Sequence, residues 1–208
     1  VSDFSDFKAQ IAEYANRQDW ADALVVGFIR QAEQKFNAEL RVDRMIKFCE
    51  SIVNCRCVPL PDDWLQMELV RLASTMVPDG FFPIRYKSRD EFYATGDGWT
   101  LGSYTIQGRE LFVGGPPATT DGQAVRITYY SEIPVFSDTT PSWLYTKYPS
   151  LYLSCALMYA YLHAVGEEDK AMGAKQLTED TINKLNADHL LSRASGSRVT
   201  RTRIRSFG

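Results

Sequence analysis

The chain has 208 residues, 45% hydrophobic and 24% charged, with a formal net charge of −3. That is enough apolar material for one substantial core, and it excludes a low-complexity or collagen-like chain. The N-terminus shows no basic-then-apolar signal pattern. Cys49, Cys55, Cys57 and Cys155 form no CxxC pair, so four free thiols and a reducing compartment of synthesis are expected. His163 and His189 are the only histidines and neither has ligand spacing to a cysteine pair, so neither a metal nor another cofactor is expected.

Phe4, Phe7, Ile11 and Tyr14 fall at helical spacing and predict a short amphipathic helix. Asp19 reads as the N-cap of a second helix from about Trp20 to Arg41, with Leu24, Phe28, Ala32, Phe36 and Leu40 on one face. The period then changes. Met45 to Phe48 and Val53 to Val58 read as two strands around Glu50–Ser51. Leu60 to Leu65 reads as a turn and helical start, and Met67 to Ala73 as a further strand. Ser88 with Glu91 has the capping-box spacing of a small helix. Tyr104–Ile106 and Leu111–Val113 flank Gln107-Gly108 as a hairpin that Gly114 to Pro117 ends, and Ala124 to Tyr130 is the last strand.

From Pro141 the helical period returns. One helix starts at about Ser142 or Pro149 and runs to Ala164, with Gly166 as its stop. Its stretch from Tyr148 to Gly166 carries no formal charge, which raises the possibility of a membrane span. Four tyrosines, two serines and His163 lie within it, so burial between other elements is the better reading. The last helix opens with Glu167, Glu168 and Asp169, carries Ala174, Thr178, Ile182, Leu185 and His189 on one face, and ends near Leu191. The expected fold is therefore α+β: a helical bundle built from N-terminal (1–42) and C-terminal (141–191) helices, with a β-rich insertion (43–140) and an extended basic C-terminal arm (192–208).

That arm carries Arg193, Arg198, Arg201, Arg203 and Arg205, one aromatic, Phe207, and no acid. With few large apolar groups it should order only on a partner. Arginine without lysine suits forked bonds to carboxylate or phosphate. Extended at about 3.3 Å per residue, it would reach about 50–55 Å. The rest of the chain is strongly acidic, which argues against a polyanion and for a protein groove.

No catalytic residues can be assigned. Cys155 and His163 share a helix but stand eight residues apart, roughly 12 Å. No phosphate-cradling glycine motif or nucleophile elbow is present. Asp62–Asp63, Asp90–Glu91, Glu167–Glu168–Asp169 and Glu179–Asp180 are paired carboxylates, but each is explained by a turn or helix start, and sequence neighbours do not face each other across a cleft.

Ordered short features cover roughly Leu60 to Leu191. They are Leu60-Pro61-Asp62-Asp63-Trp64-Leu65, Tyr104 to Gly108 with Leu111 and Pro116-Pro117, Ile127-Thr128-Tyr129-Tyr130 with Ile133-Pro134 and Phe136-Ser137-Asp138, then Trp143-Leu144, Tyr148-Pro149 and Leu151-Tyr152. Together they resemble the head–tail adaptor (connector) proteins of tailed bacteriophages. The resemblance implies a non-enzymatic virion protein at the head–tail junction, made in the host cytoplasm. It implies a closed ring of about twelve copies that joins portal protein to a tail protein and extends the channel through which double-stranded DNA passes without sequence-specific binding. No membrane is implied. The arm, with Arg193, Arg198, Arg201, Arg203, Arg205 and Phe207, is the candidate portal contact. Asp97, Trp99, Pro117 and Thr119, in turn-rich tips of the β segment, are candidate tail contacts. The alternatives are a tail-associated peptidoglycan hydrolase, which would need two facing carboxylates, and a nucleic-acid-binding accessory protein using the arginines.

Overall fold

Helical spacing of phenylalanine, isoleucine and leucine builds one half of the molecule, and alternation of polar and apolar residues builds the other. The structure, a computed structural model, describes residues 3–74, 80–94 and 102–204, with the backbone alone at 117–118 and 194–204. It divides into two units, residues 1–43 with 133–208, and residues 44–132.

The first unit holds α1 (Asp3–Tyr14), α2 (Asp22–Glu39), α5 (Trp143–Lys147), α6 (Pro149–Ala160) and α7 (Glu168–Ile204). Helix α6 is apolar nearly all round because it contacts α1, α2, α5 and α7. Pro149 at its first turn separates it from α5, and a π-helical turn at Tyr161–Val165 ends at left-handed Gly166 (φ 72°). Phe4, Phe7, Phe36, Phe136, Tyr145 and Tyr152 form an aromatic cluster with ring centroids 4.8–6.1 Å apart. No helix among the described residues is long and apolar enough to cross a membrane.

The second unit holds β1 (Ile46–Ile52), β2 (Cys57–Pro59), β3 (Trp64–Ala73), β4 (Phe81–Tyr86), α3 (Arg89–Tyr93), β5 (Ser103–Gln107), β6 (Glu110–Val113), α4 (Pro117–Thr120) and β7 (Ala124–Ser131). Its strands form one sheet in the order β1-β7-β3-β4-β5-β6-β2, antiparallel except for β4 with β5. The edge strands β1 and β2 are consecutive in the chain and bridged at Asn54 and Cys57, so the sheet is nearly closed into a barrel. Val53, Val58, Leu60, Val70, Leu72, Ile84, Tyr104, Leu111, Val113, Val125, Ile127 and Tyr129 fill it.

This corrects the expectation of a helical bundle with a β-rich insertion and an extended arm. The fold is mixed α/β, and its sheet is a seven-stranded unit with its own core. The turn lies at Cys55–Arg56, not Glu50–Ser51. Both residues have positive φ (48° and 65°), and Asn54 and Cys57 exchange backbone bonds across them, as in a two-residue hairpin. β4, which carries Pro83, was not among the expected strands, and β3 begins at Trp64, where a helical start was expected. Helix α2 begins at Asp22 behind Ala21, so Asp19 does not cap it. The C-terminal segment is helical to Ile204. Helix propagation continues readily from an existing helix, and arginines near its C-terminal end oppose the negative pole of its dipole. Residues 192–204 therefore reach about 20 Å rather than the roughly 43 Å of the same residues extended.

Candidate functional site

Helix α7 has 37 residues, about 55 Å at 1.5 Å each. Its inner face is anchored. Ala171 and Ile182 are buried, and Thr178 Oγ1 lies 3.0 Å from Ser154 Oγ on α6. The Asn186 side chain clamps the exit of α2: its Oδ1 accepts from Arg41 N–H at 2.8 Å, and its Nδ2 donates to Glu39 O at 2.9 Å. One turn on, buried His189 places Nδ1 2.9 Å from Asp43 Oδ1, an ion pair whenever the imidazole is protonated. The outer face leaves Met172, Leu177, Leu190 and Leu191 exposed. Arg193 is exposed beside them, and Arg198, Arg201 and Arg203 lie further along the same helix. Arg205 and Phe207 lie outside the described residues.

A buried ionic network sets α2 against α6. Glu33 Oε1 accepts from Phe136 N–H (2.7 Å) and Tyr152 O–H (2.8 Å), and its Oε2 meets Arg30 Nη1 at 2.7 Å. Arg30 also donates to Phe136 O at 3.0 Å. Burial, then the Glu33 charge, raise the Tyr152 pKa, so the phenol stays a donor. The sequence held a signal for this site that went unread: Glu33 stands between Ala32 and Phe36, on the face that must be buried.

Among the proposed tail contacts, Pro117 opens α4, and exposed Thr119 returns its N–H and Oγ1 to Pro116 O. Asp97 and Trp99 lie outside the described residues. Strand β1 brings Phe48 and Ile52 to the surface, which the misplaced turn had hidden.

The paired carboxylates have local roles. Asp62 reaches Arg109 at 3.3 Å; Asp63 binds Lys47 (2.6 Å) and the Tyr129 hydroxyl (2.9 Å). Glu91 forms the capping box with Ser88, Glu167 pairs with Lys170, and Glu179 lies near Lys35 and Lys175. Burial alone would raise the Asp63 pKa, but the bonds from Lys47 and Tyr129 outweigh it and hold the group below its ordinary value. Cys155 is buried, and burial pushes its thiol up to about 12. His163 stacks on Tyr159 with ring centroids 6.1 Å apart. Among the described residues, no three His, Cys, Asp or Glu side chains group as metal ligands.

No curated protein matches the chain. Residues 2–204 match a family described as SU10 adaptor protein. The match runs through both units and the whole of α7, and it agrees with the resemblance to phage head–tail adaptors. The chain belongs to the SU10 adaptor protein family and is a structural adaptor of a phage particle.

Proposed function

We propose that copies of this chain form a closed ring between the portal and the tail, extending the DNA channel, and that the arginine-bearing end of α7 docks on the portal. Portal symmetry would set about twelve copies. The observation that carries this reading is α7 itself. Its inner face is anchored, its outer face exposes four large apolar side chains, and its sequence ends in arginines without an acid after Asp188. A helix fixed on one face and bare on the other is suited to cover by a neighbour. Arginines beyond it suit charge-assisted capture of carboxylates on the portal. Asp97, Trp99, Pro117 and Thr119 are the proposed tail contacts. The chain's net negative charge suits a channel that DNA must cross without adhering.

The test is co-sedimentation with purified portal rings. The full chain should bind, and binding should weaken as salt rises from 50 to 500 mM because exposed charge pairs are screened, with a Debye length of about 10 Å at 0.1 M. Deletion of Arg198–Gly208 should abolish binding without unfolding the chain. Unchanged binding after that deletion would remove the docking role. Tight binding of DNA at physiological salt by the free chain would favour a nucleic-acid-binding role instead.

A further inference from the structure

Strand β1 has a row of backbone groups that the sheet does not use. It stands at one end of the strand order and, among the described residues, pairs only with β7, over an unbroken register from Ile46–Tyr130 to Ile52–Ala124. The Val53 N–H donates to Gln123 O on the β7 side, whereas Asn54 exchanges both its bonds with Cys57 on the other side. Bond directions alternate along an antiparallel strand. Phe48, Glu50 and Ile52 therefore turn N–H and C=O away from β7, toward a side with no paired strand among the described residues.

The seam of the barrel explains why this row stays open. Beyond the Asn54–Cys57 pair, the next bonded pair of the hairpin would be Ile52 with Pro59. Proline has no N–H to give. β2 instead pairs with β6, from Cys57–Phe112 to Pro59–Glu110.

Exposed edges ordinarily carry devices against further pairing, such as proline, bulges, shortness or free charges. β2 has a proline and three residues. β1 has seven residues, no proline and no register shift. Its charges are engaged, Lys47 with Asp63 at 2.6 Å and Glu50 with Arg126 at 2.7 Å. Two side chains on its outer face are apolar and open, Phe48 at 79% and Ile52 at 64% exposure.

We propose that β1 receives an extended segment of a neighbouring protein in the assembled particle as an added strand. The backbone row selects the occupant. An extended chain alone presents N–H and C=O at the matching repeat, whereas a helix spends these groups internally. A nucleic acid has no such row. Cross-strand pairing then sets the side chains: apolar opposite Phe48 and Ile52, polar opposite Glu50, whose charge Arg126 already holds. The proposal rests on the chain working in an assembled particle, but not on where the arginine end of α7 docks.

Amide hydrogen exchange in the isolated chain and in purified particles tests it. The amides of Phe48, Glu50 and Ile52 should exchange at least about tenfold more slowly in the particle, as newly bonded groups do. Those of Cys49 and Ser51, already turned to β7, should change much less. Phe48→Pro removes an outward N–H and no ladder bond, so the isolated chain should fold normally while incorporation into particles falls about tenfold. Phe48→Ala, which keeps the N–H, should fall less. A photo-crosslinker at Ile52 should label a protein. Equal exchange of the three amides in both states would overturn the proposal, even if Phe48→Pro failed to fold. Crosslinking to DNA alone would overturn it too. Absence of the chain from the head–tail junction would instead strike the adaptor reading.

Discussion

Replacing Glu33 separates a buried ionic network from ordinary helix packing. Its Oε1 serves two buried donors, Phe136 N–H and Tyr152 O–H, and its Oε2 serves Arg30. Glu33→Ala orphans both buried donors at about 1–3 kcal/mol each. Arg30 is partly exposed and can turn to water, so its loss adds little. The expected cost is about 3–5 kcal/mol, the range for breaking a buried charged pair. Glu33→Gln is the informative contrast. A glutamine oxygen in the Oε1 position keeps both buried bonds but sets its amide N–H groups against the Arg30 guanidinium, donor facing donor, so its cost should be about 1–2 kcal/mol. Urea unfolding followed by circular dichroism measures both. A double-mutant cycle of Glu33→Ala with Tyr152→Phe should return a coupling of about 1–3 kcal/mol. Equal costs for Ala and Gln, or an Ala cost below about 1 kcal/mol, would refute the reasoning.

Other outcomes follow from the same geometry. At pH 8, Ellman's reagent should modify exposed Cys55 first and leave buried Cys155 untouched until the chain unfolds; early loss of the Cys155 thiol would contradict its burial. Asp63 has a lowered folded pKa, so its contribution is present above its unfolded value of about 4 and is lost as pH falls through the folded value. The stability gap between the parent chain and Asp63→Asn, followed by urea unfolding, should therefore be visible at pH 7 and shrink below about pH 4. Asn186→Ala should cost about 1–3 kcal/mol, because two backbone groups at the exit of α2 lose their partner; a neutral result would mean that water replaces the clamp.

Strong periodicity made much of the helical part legible. Phe4, Phe7 and Ile11 are buried on α1, and Phe28, Ala32 and Phe36 on α2, as their spacing requires. The Ser88–Glu91 capping box and the Gly166 stop are local devices and were readable one residue at a time. The sheet was harder because its closure is non-local. Nothing in Cys55-Arg56 signals a turn with two positive φ values, a conformation that usually takes Asn-Gly. Misplacing that turn split β1 and concealed its open edge. β4, which carries Pro83, was missed because its neighbours, β3 and β5, were needed to recognise it. The arm was misread because composition describes the isolated segment, whereas α7 reaches it already helical. Its arginines are legible in the sequence, and the portal as their proposed partner entered only through the family resemblance.

The most direct test is a cryo-electron microscopy map of the head–tail junction at side-chain resolution. It should show a closed ring of this chain between portal and tail, with Arg193, Arg198, Arg201, Arg203 and Arg205 against acidic groups of the portal. The chain located elsewhere in the particle, or in that ring with its arginines free in solvent, would contradict the account.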